Sequence, residues 1–248
     1  MAFMTYRDQP NSTPLGVREK NLVCEIEDRL VPATVWLPDC EAPRPLVLVG
    51  HGGSGHKRSQ LVLDIVEVLA KRHGYVVAAM DGPVHGDRKN AKAVPDEARS
   101  AFRQLWEQGG SVEAMVADWN EVLACVAGFQ EVDASRVGYY GLSMGTAYGL
   151  PFVAQQDGIH AAVFGMWGTS RANSQRLLQD ASRVRIPVLF ALQWDDPLFS
   201  REGQFEIFDA FGTDDRRMHI HPGGHVDPDA RRLSEIEHFL TLQLSHRA

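Results

Sequence analysis

From residue 44 to the end of the chain, short apolar segments alternate with longer segments of helical periodicity. Segment 44–50 (RPLVLVG) is typical of a buried strand, and 111–128 repeats apolar residues along one helical face. Such β–α alternation predicts a mostly parallel sheet covered by helices. The first forty residues differ, because 17–26 and 30–38 indicate an antiparallel pair of strands leading into this sheet.

The remaining segments continue the same order. We predict strands at 75–80, 136–141, 161–167, 186–192 and 216–222, and helices at 59–74, near 144–157, 201–211 and 229–244. No linker divides the chain, so we expect a single α/β domain over 1–248. Within it, 1–17 is expected to be an extended arm, and 88–110 a small helical rim or lid.

Composition excludes several function classes. The 248 residues are 44% hydrophobic, which suffices for one sizeable core, and the net charge of −7 argues against a nucleic-acid partner. No apolar run approaches the roughly 18 residues of a membrane span, and we expect no secretory signal, because residues 1–16 lack a basic segment followed by an apolar one. Three cysteines without metal-like spacing are typical of reduced thiols in a cytoplasmic protein. The composition neither predicts nor excludes a homodimer.

Segment 138–149 (GYYGLSMGTAYG) contains a G-x-S-x-G pattern where a predicted strand meets a predicted helix. At such a junction the turn is so tight that the serine hydroxyl is exposed above the sheet. Gly141 and Gly145 would avoid clashes with the neighbouring strand and helix. The pattern alone is weak, since Ser143 could equally cap a glycine-rich turn.

An acid and a histidine follow at the ends of later strands. Asp195 and Asp196 come after the strand 186–192, and His225 lies on the loop before the last helix. The order Ser, Asp, His is that of a nucleophile, its orienting acid and its base, brought together at the carboxyl edge of a parallel sheet. Individually each residue has an ordinary explanation, as a helix cap or a loop residue, but their joint placement predicts a catalytic triad.

The loop 50–58 (GHGGSGHKR) follows the first strand of the predicted parallel sheet. An oxyanion hole needs two amides, one from this loop and one from the residue after the nucleophile. We therefore expect the amides of Gly53 and Met144 to bind the oxyanion. His51 is expected to pack beneath this loop. His85 follows the strand that ends at Asp81, and we expect it either to hold its loop by hydrogen bonds or to border the pocket.

Together these motifs resemble the α/β-hydrolase superfamily, and within it the dienelactone-hydrolase-like esterases. The segments GHGGSGHK, DGPVHGDR, GLSMG, QWDDP and PGGH carry the likeness, which covers roughly residues 18–245. The resemblance implies the α/β-hydrolase fold, a small ester as substrate and no cofactor. It also favours Asp196 over Asp195, because the family's acid precedes a Pro-Leu-hydrophobic step. The named dienelactone hydrolases use a cysteine nucleophile, so Ser143 favours serine-esterase chemistry.

Two other interpretations of the chain remain open at this stage. Gly50, Gly52 and Gly55 match the G-x-G-x-x-G dinucleotide fingerprint of a nicotinamide-dependent oxidoreductase, with Asp81 as the candidate ribose acid. Two strands precede the motif, however, and His51 has no role in binding a pyrophosphate. A hydrolase fold without catalytic activity is the other alternative.

Aromatic residues near the triad are candidates for the substrate pocket. Trp106, Trp167, Trp194 and Phe199 could line it, and core packing would explain each equally well. His219 and His221 share one face of a predicted strand. The sequence offers this pair no third ligand, so we expect a strand-surface pair and no metal.

Overall fold

The computed structural model describes residues 5–8, 16–26, 28–89 and 95–245. Its strands are β1 (Thr5–Asp8), β2 (Arg18–Ile26), β3 (Arg29–Leu37), β4 (Arg44–Gly50), β5 (Val76–Met80), β6 (Val132–Gly141), β7 (Ile159–Gly165), β8 (Val188–Gln193) and β9 (Arg216–His221). They form one nine-stranded sheet in the order β1-β2-β3-β5-β4-β6-β7-β8-β9. Strands β1, β2 and β3 are antiparallel to their neighbours, whereas β5 to β9 and β4 pair in parallel. The predicted α/β-hydrolase fold is confirmed.

The helices cover both faces of this sheet. They are α1 (Gln60–Ile65), which continues as a π-helix (Val66–Lys71), α2 (Pro95–Gln108), α3 (Ser111–Ala127), α4 (Met144–Val153), α5 (Arg176–Ala181), α6 (Arg201–Ala210) and α7 (Ala230–Ser245), with a short 3₁₀ turn at Gly86–Arg88. One buried cluster packs α3 and α4 against the sheet, and a second packs α1 and α7 against the other face. The central strands are apolar on both sides because both sides are buried.

Two parts of the chain differ from the sequence-based expectation. Within the expected arm 1–17, Thr5–Asp8 is a strand that pairs with β2, while residues 1–4 and 9–15 lie outside the described part. The short helix α5 was not predicted, because its six residues are too few to show a periodicity. Of the expected rim 88–110, α2 is helical, and 90–94 lies outside the described residues. No helix among the described residues is both long and apolar enough to cross a bilayer.

Candidate active site

Ser143 lies at the sharp turn between β6 and α4. Its backbone has φ 56° and ψ −120°, a conformation that L-residues rarely adopt. The turn is held because the Ser143 amide donates to the carbonyl of Gly165 on β7, at 2.9 Å. Such a strained turn at the carboxyl edge of the sheet matches the nucleophile elbow predicted from the sequence.

Three glycine backbones meet directly behind this turn. A Cβ atom on Gly145 would lie 2.5 Å from the carbonyl oxygen of Gly50, and one on Gly141 would lie 2.7 Å from the oxygen of Gly145. Neither contact leaves room for a side chain. The close approach of β4, β6 and α4 therefore requires glycine here, as the pattern around Ser143 predicted.

Ser143, His225 and Asp196 form a continuous row of hydrogen bonds. Nε2 of His225 lies 2.9 Å from Oγ of Ser143, and Nδ1 of His225 lies 2.7 Å from Oδ2 of Asp196. Since a carboxylate only accepts, Nδ1 carries the proton and Nε2 is left to accept from the serine hydroxyl. The side chain of Asp196 is fully buried, whereas 17% of the His225 side chain is exposed.

The two neighbouring aspartates have different partners. Oδ1 of Asp196 accepts from the amides of Leu198 and Phe199, at 2.8 and 3.3 Å, which leaves Oδ2 facing the histidine. Asp195 is exposed, and its Oδ2 accepts from the amide of Gly223 at 3.2 Å. Asp195 thus ties the loop after β8 to the loop after β9, and the structure brings Asp196 to His225.

Two buried histidines hold the loop that follows β4. The Gly82 amide donates to Nε2 of His51 at 2.9 Å, so Nδ1 of His51 carries the proton and donates to the Gly52 carbonyl at 2.8 Å. Nε2 of His85 lies 3.0 Å from the Gly53 carbonyl. Burial first, and the neighbouring His85 second, lower the pKa of His51 to about 3, and burial also lowers the pKa of His85. His51 was expected beneath this loop, and the hydrogen bond of His85 joins the segment after β5 to it.

A buried ion pair anchors the same loop to the end of β5. Nζ of Lys57 lies 2.6 Å from Oδ2 of Asp81 and 2.6 Å from Oδ2 of Asp87. The amides of Lys57 and Asp87 also donate to Asp81, each at 2.9 Å. Both carboxylate oxygens of Asp81 therefore accept hydrogen bonds from the protein itself, which leaves the dinucleotide interpretation without its ribose-binding acid.

The two expected oxyanion amides lie beside the serine. Gly53 lines the same cavity as Ser143, and Met144 is the first residue of α4. Neither amide donates to an acceptor among the described residues. The Met144 amide also lies at the positive end of the α4 dipole, so both groups are suited to bind a negative oxygen.

A cavity of about 370 Å³ opens above Ser143. Of the four aromatic residues expected to line it, Trp167 and Phe199 do so. Trp106 is buried behind Trp167, with ring centroids 5.0 Å apart, and its indole nitrogen donates to a backbone carbonyl. Trp194 is 45% exposed and lies under the guanidinium of Arg201, outside the cavity lining. For Trp106 and Trp194 the predicted role in lining the pocket is therefore wrong.

Several cavity residues were not predicted. Three arginines line it, Arg99 and Arg103 from α2 and Arg171 from the loop after β7. Arg171 also stacks over Phe199, 5.5 Å from the ring centroid. Asp227 is the one acid among the described residues that line the cavity, and burial raises its pKa. These three arginines belong to no periodic pattern or motif, so the sequence carried no signal for this positive wall.

Comparisons with known proteins identify the family and the fold of this chain. A sequence model described as the dienelactone hydrolase family matches residues 31–225. A cold-adapted esterase from an Arctic intertidal metagenomic library is 33% identical, with a TM-score of 0.81 over 92% of this chain and 94% of that chain.

More distant structures share the fold alone. An acetyl xylan esterase from Paenibacillus sp. R4 is 16% identical, with a TM-score of 0.75 over 98% of this chain and 88% of that one. A dienelactone hydrolase from Anabaena variabilis is also 16% identical, with a TM-score of 0.66 over 93% and 98%. Among curated proteins, no sequence matches significantly. Because the family model spans most of the chain, this protein belongs to the dienelactone hydrolase family.

Proposed function

We propose that this protein is a serine hydrolase that cleaves small to medium carboxylic esters, or thioesters, through an acyl-enzyme. The observation that carries the proposal is the hydrogen-bonded row from Oγ of Ser143 through His225 to the buried carboxylate of Asp196. An ordinary serine at a turn has no reason to face a histidine whose other nitrogen is bound to a buried acid. The 33% identical esterase supports carboxylic esters as the substrate class.

In the proposed mechanism, Nε2 of His225 takes the proton of the Ser143 hydroxyl as its oxygen attacks the ester carbonyl. Asp196 keeps the proton on Nδ1 of His225 and stabilises the imidazolium that forms. The imidazolium then protonates the departing alcohol. Water attacks the acyl-enzyme in the second half, with His225 again acting as the base.

The amides of Gly53 and Met144 would bind the carbonyl oxygen as it becomes negative. Their value depends on being held in place before the reaction, since an amide that must reorient loses part of its stabilising effect. The hydrogen bonds from His51 and His85 to the carbonyls of this loop supply that rigidity.

The walls of the cavity favour a short acyl group. Trp167 and Phe199 offer limited apolar surface, and α2 is the one rim element among the described residues that contributes to the lining. Each additional methylene is worth about 0.8 kcal/mol only where a wall exists to bury it. We expect kcat/KM on p-nitrophenyl esters to peak at short to medium chains, and a rise that continues to palmitate would contradict this.

The arginines at the cavity favour an ester that carries a negative charge elsewhere in the molecule. Arg99 and Arg103 come from the rim helix, so they would meet a group remote from the scissile bond. A carboxylate-bearing ester should show a higher kcat/KM than a neutral ester of equal size. Arg103→Gln should reduce that ratio, and an unchanged ratio would remove this part of the proposal.

A fluorophosphonate probe tests the central proposal directly. The probe should label the native protein once, and the modified peptide should contain Ser143. Ser143→Ala should abolish labelling and lower kcat by about 10⁴- to 10⁶-fold while the circular dichroism spectrum stays unchanged. Near-native turnover of p-nitrophenyl acetate by this variant would overturn the assignment and leave a hydrolase fold without this chemistry.

A further inference from the structure

A cluster of three metal-ligating side chains lies on the side of the sheet away from α4. His219 and His221 project from the same face of β9, because alternate residues of a strand share a face. Glu235 reaches them from α7, with its Oε2 atom 2.9 Å from Nδ1 of His219 and 3.2 Å from Nε2 of His221. Glu235 is thus a third side chain that could bind a metal beside the two histidines, and no signal in the sequence pointed to it.

We propose that His219, His221 and Glu235 form a zinc-binding site. One atom from each side chain lies within 4.8 Å of the others. In tetrahedral zinc sites, neighbouring ligand atoms are about 3.3 Å apart, given bonds of about 2.0–2.1 Å. The three side chains therefore need only small rotations to enclose one ion.

The donor set selects the class of metal. Two imidazoles and one carboxylate suit zinc, a cation of borderline softness, whereas magnesium and calcium prefer sites built from oxygen alone. The side chains of His219, His221 and Glu235 are 38%, 15% and 26% exposed, so an ion can enter and water can occupy the fourth position. This matches zinc sites with three protein ligands.

The surrounding charges leave one carboxylate oxygen available. Oε1 of Glu235 pairs with Arg231 at 3.5 Å, while Oε2 faces the two histidines. The Arg231 side chain is 85% exposed, so water and salt screen its repulsion of a cation. Arg232 lines a small pocket together with these three side chains, and its guanidinium donates a hydrogen bond to the carbonyl of Asp227 at 2.8 Å.

A bound ion would connect β9 to α7, two elements that lie side by side without a covalent bond between them. Within the described chain, β9 is the terminal strand of the sheet and pairs with β8 alone. Four residues after His221 the chain reaches His225, so a zinc link to α7 would steady the base of the His225 loop. The expected result is a more stable fold when zinc is bound.

Isothermal titration with zinc chloride, on full-length protein freed of any affinity tag and stripped with a chelator, tests the site. We expect one zinc ion per chain and a raised Tm. His219→Asn and Glu235→Gln should each weaken zinc binding by at least about tenfold. Cobalt(II) should produce visible absorption of a tetrahedral complex in the native protein and lose it in both variants, whatever the esterase activity.

His73→Ala is the matched control. His73 is an exposed histidine that also pairs with a glutamate of α7, Glu237, at 2.7 Å, but it lacks a second histidine. The zinc affinity of the His73→Ala variant should equal that of the native protein. Unchanged binding in His219→Asn and Glu235→Gln, or binding that is lost only in His225→Ala, would overturn the proposal. Circular dichroism checks that each variant folds. If His219→Asn does not fold, Glu235→Gln still tests the site, because it keeps the volume of the side chain.

Discussion

The two sides of Ser143 are built in different ways. On one side, the oxyanion side, the loop after β4 and the loop after β5 are held by buried groups that include His51, Lys57 and Asp81. On the other, the acid–base side, the loops after β8 and β9 carry Asp196 and His225 beneath a partly exposed surface. Ser143 therefore lies between a side built on buried groups and a side that is partly open to solvent.

This difference matches what each side is proposed to do. The oxyanion amides need to stay still throughout the proposed reaction, and buried, hydrogen-bonded groups provide that. The histidine has to pass protons to an alcohol and receive them from water, so its exposed edge is useful. In the proposed enzyme, one half of the site would hold the oxyanion in place, and the other half would transfer protons at a solvent-accessible edge.

The largest expected effect comes from the acid–base side. Asp196→Asn should lower kcat by about 10⁴-fold, because an amide can stabilise the wrong tautomer of His225. Asp195→Asn changes an exposed side chain that contacts the Gly223 amide, so it should retain most of the activity. Steady-state kinetics on p-nitrophenyl acetate compare the two variants. A greater loss in Asp195→Asn would show that the acid is misassigned.

On the oxyanion side the largest effect should be on stability. Asp81→Asn leaves the buried ammonium of Lys57 without its fully buried partner, and breaking such a pair costs about 3–5 kcal/mol. Asp87→Asn removes the other partner of the same lysine. Because the Asp87 side chain is 74% exposed, this control should cost less than about 1 kcal/mol. Urea denaturation of both variants measures the difference, and equal costs would mean that burial does not distinguish the partners.

A smaller effect is expected from His85, which positions the oxyanion loop without touching the substrate. His85→Ala should lower kcat by about tenfold to 100-fold, because it frees the Gly53 carbonyl and allows its amide to shift. KM should change little. His85→Gln can donate to the same carbonyl and should recover part of kcat. If KM rises while kcat holds, His85 shapes substrate binding instead.

Near neutral pH the smallest expected effect is that of His51, which makes stability depend on pH in the acid range. Its pKa in the folded state is lowered to about 3, against about 6.5 in an unfolded chain. Between these values the unfolded state binds a proton that the folded state excludes, so stability falls as the pH falls from about 6.5 to about 3. The free energy of unfolding, measured by urea denaturation across this pH range, should change less steeply with pH for His51→Gln than for the native protein. An equal dependence on pH in the two proteins would argue against a neutral His51.

Sequence reasoning predicted that Ser143, Asp196 and His225 would lie together, as they do in the structure, because each of them has a local signal. Ser143 lies between two glycines at a strand end, and Asp196 and His225 each follow a strand in the expected order. The alternation of strands and helices was equally local, so most element bounds agree with the structure to within a few residues.

Contacts between distant segments had no such signal. Periodicity places Phe102 and Trp106 on one apolar face of α2, but it does not tell that Phe102 reaches the cavity while Trp106 lies behind Trp167. Glu235 is one of several charged residues on α7, and only the packing of α7 beside β9 brings it to His219. These features depend on tertiary geometry that a single sequence does not encode locally.

The glycine contacts behind Ser143 also bear on how the protein can evolve. At Gly141 and Gly145, any side chain would collide with backbone, so substitutions there should eliminate function whatever the substrate. Arg99 and Arg103 lie on the rim, where side chains can change without disturbing the turn. Adaptation to a new ester should therefore change residues of the rim helix α2, while the residues around Ser143 stay the same.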